Sequence, residues 1–133
     1  MMAGRDGPLL AGLAAVGVGA MLGAWLRWGL SYWLNPRLEH LPLGTLAANL
    51  VGGYLIGVAV ALFATNPALT PFWRLLIVTG FLGGLTTFST FSAENVALLG
   101  SGAWGAARRH AGLHLLGSLA ATAVGIASVR VLA

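Results

Sequence analysis

Phe88 and Phe91 lie three residues apart in an uncharged run, Gly80 to Ser92, that also carries the hydroxyls of Thr86, Thr87, Ser89, Thr90 and Ser92. On a helix this spacing puts both rings on one face. The edge of a phenyl ring is the positive side of its quadrupole. Asn49, in a different apolar run, adds a carboxamide that can donate to an anion. Ring edges and an amide together make a weakly electropositive site with no full charge, suited to a small, hard anion that must bind and then leave. The plainer alternative is that the rings are lipid-facing or core bulk and that Asn49 is interhelical glue.

Glycine surrounds these residues. Gly80, Gly83 and Gly84 loosen the backbone, and lipid cannot satisfy the carbonyls so released. The eleven residues 72–82 make about 16 Å of helix, which places Gly83 near the middle of a bilayer. A helix broken at that depth exposes carbonyls whose natural partner is a cation. A simple kink, repaired by the Thr86 and Thr87 hydroxyls, is the alternative.

Four more side chains could do chemistry. Arg27 is the one arginine well inside an apolar run; it can snorkel to the interface or draw anions into a vestibule. Glu94 is the one acid in such a run, suited to a gate, a buried partner or an interfacial position. His110 and His114 share a helical face, but with no neighbouring acid or cysteine in the sequence they fall short of a metal site. The familiar enzyme signatures are absent. Gly80 to Thr87 lacks the lysine of a phosphate loop, and Gly17 to Gly23 misses the dinucleotide spacing and has no preceding strand. With no paired carboxylates and no nucleophile with its base, the chain reads as neither an enzyme nor an ATP-driven pump.

The positioning elements are legible from hydropathy. Of 133 residues 58% are apolar and only 8% charged, which excludes disorder and an ordinary soluble domain. Four runs, 8–34, 43–64, 72–99 and 104–132, each reach the length of about 20 residues that a spanning helix needs. The expected fold is therefore an all-α membrane protein, a single transmembrane domain of four helices with the third broken near the midplane. Asn35-Pro36, Asn66-Pro67 and Ser101-Gly102 mark the turns. Trp33, Trp73 and Trp104 fall at run ends, where aromatic belts sit. There is no cysteine. The basic residues are all arginine and form no stripe, so nucleic acid is not an expected partner.

Charge along the loops is balanced. Arg5, Arg74 and Arg130 fall on one side of a four-span topology, and Arg37, Arg108 and Arg109 on the other, with Arg27 adding one to the second group at most. The positive-inside rule then gives almost no orientation, and the expectation is a chain that inserts both ways and pairs as an antiparallel dimer. Gly19-xxx-Gly23, Gly53-xxx-Gly57 and Gly80-xxx-Gly84 permit close helix approach, either within a protomer or across a dimer.

The motifs Gly19-Ala-Met-Leu-Gly23-Ala-Trp-Leu-Arg27, Gly44-Thr45-Leu-Ala-Ala-Asn49-Leu-Val-Gly52-Gly53-Tyr-Leu-Ile-Gly57 and Gly80-Phe-Leu-Gly-Gly-Leu-Thr-Thr-Phe-Ser-Thr-Phe91 occur in that order, and over nearly its whole length the chain resembles the Fluc (CrcB) fluoride channels. The resemblance implies a multi-pass bacterial inner-membrane protein, a dual-topology antiparallel homodimer with two pores. It would export fluoride passively and so relieve its toxicity. By this likeness Phe88 and Phe91 meet the ion edge-on and Asn49 lies near the pore. Thr87, Ser89 and Thr90, with Ser118 of the fourth helix, line a polar track, and Arg27 belongs to a vestibule. A central Na+ is held by the backbone carbonyls of Gly83 and Thr86 from both subunits. His114 departs from the pattern: a smaller polar residue is expected one turn before Ser118, and a bulky imidazole there either breaks part of the fourth-helix track or makes conduction pH-sensitive.

Two other classes remain open. A proton-coupled exporter resembling small multidrug resistance transporters is also a four-helix dual-topology dimer, but needs a glutamate in the first helix, and here that helix has none. A structural subunit of a larger assembly would conduct nothing.

Overall fold

The computed structural model describes residues 3–133. Among them every regular element is helical. Helix α1 covers Ala3–Leu34, a short 3-10 turn follows at Asn35–Arg37, and α2 covers Leu43–Thr65. Helix α3 runs without interruption through Pro71–Arg74, a wider π-helical stretch Leu75–Leu82, and Gly83–Leu85. Helix α4 is Phe88–Gly100 and α5 is Trp104–Leu132. Counting α3 and α4 together, four segments are long and apolar enough to cross a membrane. The expected spans agree with these helices to within a residue or two at most ends, except that α1 begins earlier. Gly102, with φ of 78°, makes the tight α4–α5 turn that a residue with a Cβ would resist.

The core is narrow and built of small residues. Ala15, Ala48, Ala59, Ala61, Ala106 and Ala107 are buried, joined by Leu46, Leu82 and Leu85. Most large apolar side chains, including Trp33, Trp73 and Trp104, face outward, as expected of a surface whose solvent is lipid.

Glycine lets the backbones touch. A Cβ on Gly19 or Gly23 would meet α3 backbone at Leu76 and Phe81, and one on Gly84 would meet Ala20 of α1. On the other side, Gly57 abuts Thr122 and Gly125 abuts Tyr54, locking α2 to α5. All three small-xxx-small pairs thus pack inside the protomer, the plainer of the two readings.

Two residues separate α3 from α4. Gly83 is itself helical, with φ −62° and ψ −37°. The chain leaves the helix at Thr86 (φ −85°, ψ 154°) and Thr87 (φ −153°, ψ 117°). The glycines serve the contact with α1; the threonines make the gap, because β-branched residues accept extended backbone readily and their hydroxyls can replace lost helical bonds. Across this gap the chain changes neighbours: α3 packs on α1, whereas α4 packs on α5.

Candidate functional site: a cleft beside Thr86 and Thr87

Thr86 and Thr87 rebuild locally the hydrogen bonding that the gap disrupts. The Thr86 hydroxyl donates back to Leu82 O at 2.8 Å. Thr87 is the N-cap of α4: its Oγ1 accepts from Thr90 N at 3.1 Å, and it also lies 3.1 Å from Thr90 Oγ1 and 3.2 Å from Ser89 Oγ.

The remaining backbone groups are met by Asn49. Its Oδ1 accepts from Thr87 N at 2.8 Å and its Nδ2 donates to Thr87 O at 3.1 Å. This double pairing fixes which end of the carboxamide is oxygen. The second Nδ2 proton faces His114 Nδ1 at 3.1 Å.

Because Thr87 N–H is engaged by Asn49, the Gly83 carbonyl loses the donor that a continuous helix would supply. Because Thr90 N–H caps onto Thr87 Oγ1, the Thr86 carbonyl loses its donor likewise. The Gly84 carbonyl instead accepts from Arg27 Nε at 3.1 Å. Arg27 therefore reaches the third span rather than lying free at an interface.

Beside the gap opens a cleft of about 490 Å³ between α2, the third span and α5. Asn49, Thr86, Thr87, Phe88, Phe91, Ser118 and Gly83 all line it, so five of the seven residues expected along an ion path converge there. Ser89 and Thr90 do not; their hydroxyls belong to the α4 cap. Arg27 is also outside the lining.

The two phenylalanines are held differently. Phe88 is 79% exposed, whereas Phe91 is half-buried. Their centroids are 5.5 Å apart with planes at 55°. Phe91 also stacks on His110 (5.1 Å, 13°) and leans on His114 (4.7 Å, 35°).

Thr122 and the surroundings of Glu94 go beyond the sequence reading. Thr122 joins the lining and donates to Gly53 O at 2.9 Å. Glu94 is partly buried and engaged at both oxygens: Oε1 accepts from Thr45 Oγ1 at 2.6 Å and Oε2 lies 3.0 Å from His110 Nε2. The histidines therefore do have a neighbouring acid, contrary to the expectation from spacing. The signal was present in the hairpin geometry, since Glu94 and His110 stand eight residues either side of Gly102 and antiparallel helices bring such positions level.

Four apolar spans around a cleft, whose largely apolar lining carries hydroxyls, two phenyl rings and one carboxamide, define a small multi-pass membrane protein. A family model described as "CrcB-like protein, Camphor Resistance (CrcB)" matches residues 14–126, and the chain belongs to that family. It is 61% identical over 127 residues to a protein of Cupriavidus pinatubonensis named "Fluoride-specific ion channel FluC", covering 96% of this chain and 99% of the relative. Proteins of the same name from Pseudomonas putida and Thiobacillus denitrificans are each 56% identical, over 120 and 118 residues.

Proposed function

We propose that this chain is a fluoride-selective channel that lets fluoride leave the cell passively across a bacterial inner membrane, relieving its toxicity. It is not an enzyme. The observation that carries the reading is the convergence of Asn49, Phe88, Phe91 and Ser118 on one cleft, in a chain whose relatives are named for fluoride. Amide and hydroxyl groups with ring edges can replace part of a small anion's hydration without a fixed positive charge that would trap it. The proton-coupled exporter finds no support, since the one acid in a span, Glu94, lies in the third and is engaged by Thr45 and His110.

The working form is an antiparallel, dual-topology homodimer. Balanced loop arginines support it, as does the exposure of Phe88, whose ring would need a second surface to enclose an ion. The third span would be broken near the midplane, at Thr86 and Thr87. The carbonyls of Gly83 and Thr86 suit a structural Na+ shared by two copies. Both have lost their helical donors, both residues border the cleft, and hard oxygen donors match a hard cation. The ion would bring the two interruptions together and neutralise converging carbonyl dipoles.

Liposome flux tests the reading. Protein reconstituted with fluoride inside, and a potassium ionophore to carry counter-charge, is expected to release fluoride rapidly and chloride scarcely at all. Intact protein that releases neither, or both alike, overturns it.

A further inference from the structure

We propose that Glu94, His110 and His114 form a binding site for a divalent transition ion of the zinc class, and that occupation of this site stops flow along the cleft. One ligand atom from each residue lies within 4.8 Å of the others. His110 is wholly buried and His114 nearly so, with 0% and 5% of their surfaces exposed. His110 Nδ1 and His114 Nε2 have no hydrogen-bond partner. Two buried imidazoles, each with an unpartnered nitrogen in an apolar surround, are costly unless something uses them. Neither ring is tied at both nitrogens; His114 offers its lone pair from Nδ1, where Asn49 now donates, or from Nε2 once the ring proton moves.

The donor set selects the ion. Imidazole nitrogen with carboxylate oxygen suits zinc, cobalt or nickel, not sodium or magnesium. Tetrahedral arms of about 2.0–2.1 Å hold ligand atoms roughly 3.3 Å apart, so the cluster closes on an ion with small side-chain movements. Glu94 is already oriented for this, because Thr45 Oγ1 holds its other oxygen. Binding displaces the proton between His110 Nε2 and Glu94 Oε2. Three protein ligands leave a fourth position for water or an anion.

Location gives the site its consequence. Phe91 stacks on both imidazoles, and His114 lines the cleft and meets Asn49. An ion drawing the two rings together must shift Phe91, and it competes with Asn49 for His114. It also places a divalent charge at the wall of the path, which would hold a small anion instead of passing it. This consequence, though not the binding itself, rests on the fluoride-channel reading.

Cobalt reports on the site directly. Detergent-purified, untagged protein titrated with Co2+ is expected to bind one ion per protomer with the visible absorption of a tetrahedral centre, displaced by Zn2+. His110→Ala, His114→Ala and Glu94→Gln should each weaken binding at least tenfold, while His40→Ala, in the exposed first loop, leaves it unchanged. Wild-type protein without those bands overturns the site, as does their loss in His40→Ala. In liposomes, micromolar Zn2+ should slow fluoride release at least tenfold, reversibly with a chelator. Cobalt bands with zinc-insensitive flux overturn the block alone. Absence of flux before zinc is added overturns the channel reading, and absorbance then judges the site.

Discussion

The carboxamide of Asn49 pairs with both backbone groups of Thr87, its Oδ1 2.8 Å from the amide nitrogen and its Nδ2 3.1 Å from the carbonyl oxygen. One side chain on α2 thus stands in for a neighbouring strand at the point where the third span leaves the helix. The pairing satisfies backbone that lipid could not, and leaves one amide proton directed at His114.

Asn49→Leu removes the pairing but keeps the bulk. An unsatisfied buried amide costs about 1–3 kcal/mol, so the variant should melt earlier in detergent. Fluoride flux should fall about tenfold or more, the equivalent of roughly 1.4 kcal/mol in barrier. Normal flux with unchanged melting would remove Asn49 from both roles.

Phe88 and Phe91 should separate by readout. Phe88 is 79% exposed, so Phe88→Ile is expected to leave protomer stability unchanged while lowering fluoride flux about tenfold. Phe91→Ile forfeits stacking on His110 and His114, worth about 0.5–1.5 kcal/mol per pair. It should lose both stability and flux. Equal melting shifts for the two variants would contradict this division.

Glycines predict a sharp contrast. Gly23→Ala drives a methyl into the backbone of α3 at Phe81, and Gly57→Ala into α5 at Thr122. Overpacking of this kind costs about 1–3 kcal/mol or more, so yield and thermal stability of both should drop. Gly17→Ala, which meets nothing within 4 Å, should behave as wild type.

Orientation is testable without flux. If the loop arginines are balanced, a C-terminal tag should be accessible from both faces of the membrane in comparable amounts. Adding two lysines to one loop should push the population to one orientation. A single orientation in the unmodified chain would defeat dual topology.

The sequence revealed the helices well and the gap less well. Mostly apolar runs of more than twenty residues favour a helix in lipid, so hydropathy locates α1, α2 and α5 directly. Glycine has two uses in a membrane helix, loosening the backbone and admitting a close neighbour. Gly80, Gly83 and Gly84 looked like helix breakers, yet Gly80 and Gly84 face α1 at a separation no side chain would permit. Extended backbone at Thr86 and Thr87 depends on Asn49, thirty-eight positions away from Thr87, and local propensity does not register such a partner. Similarly, Asn49, Phe88, Phe91 and Ser118 are recognisable by type, whereas Glu94 meets His110 only through the fold of α4 on α5 about Gly102, a spacing that residue type alone does not flag.

The change of neighbours at Thr86 and Thr87 has a wider consequence. An uninterrupted helix presents one stripe to one partner along its length. Here a single crossing divides its contacts, with α3 on α1 and α4 on α5, and the cleft opens where the two halves part. The hollow is then a by-product of the chain's own geometry, requiring neither an added loop nor a larger fold. A chain of 133 residues opens a cleft among its membrane-length helices by this means.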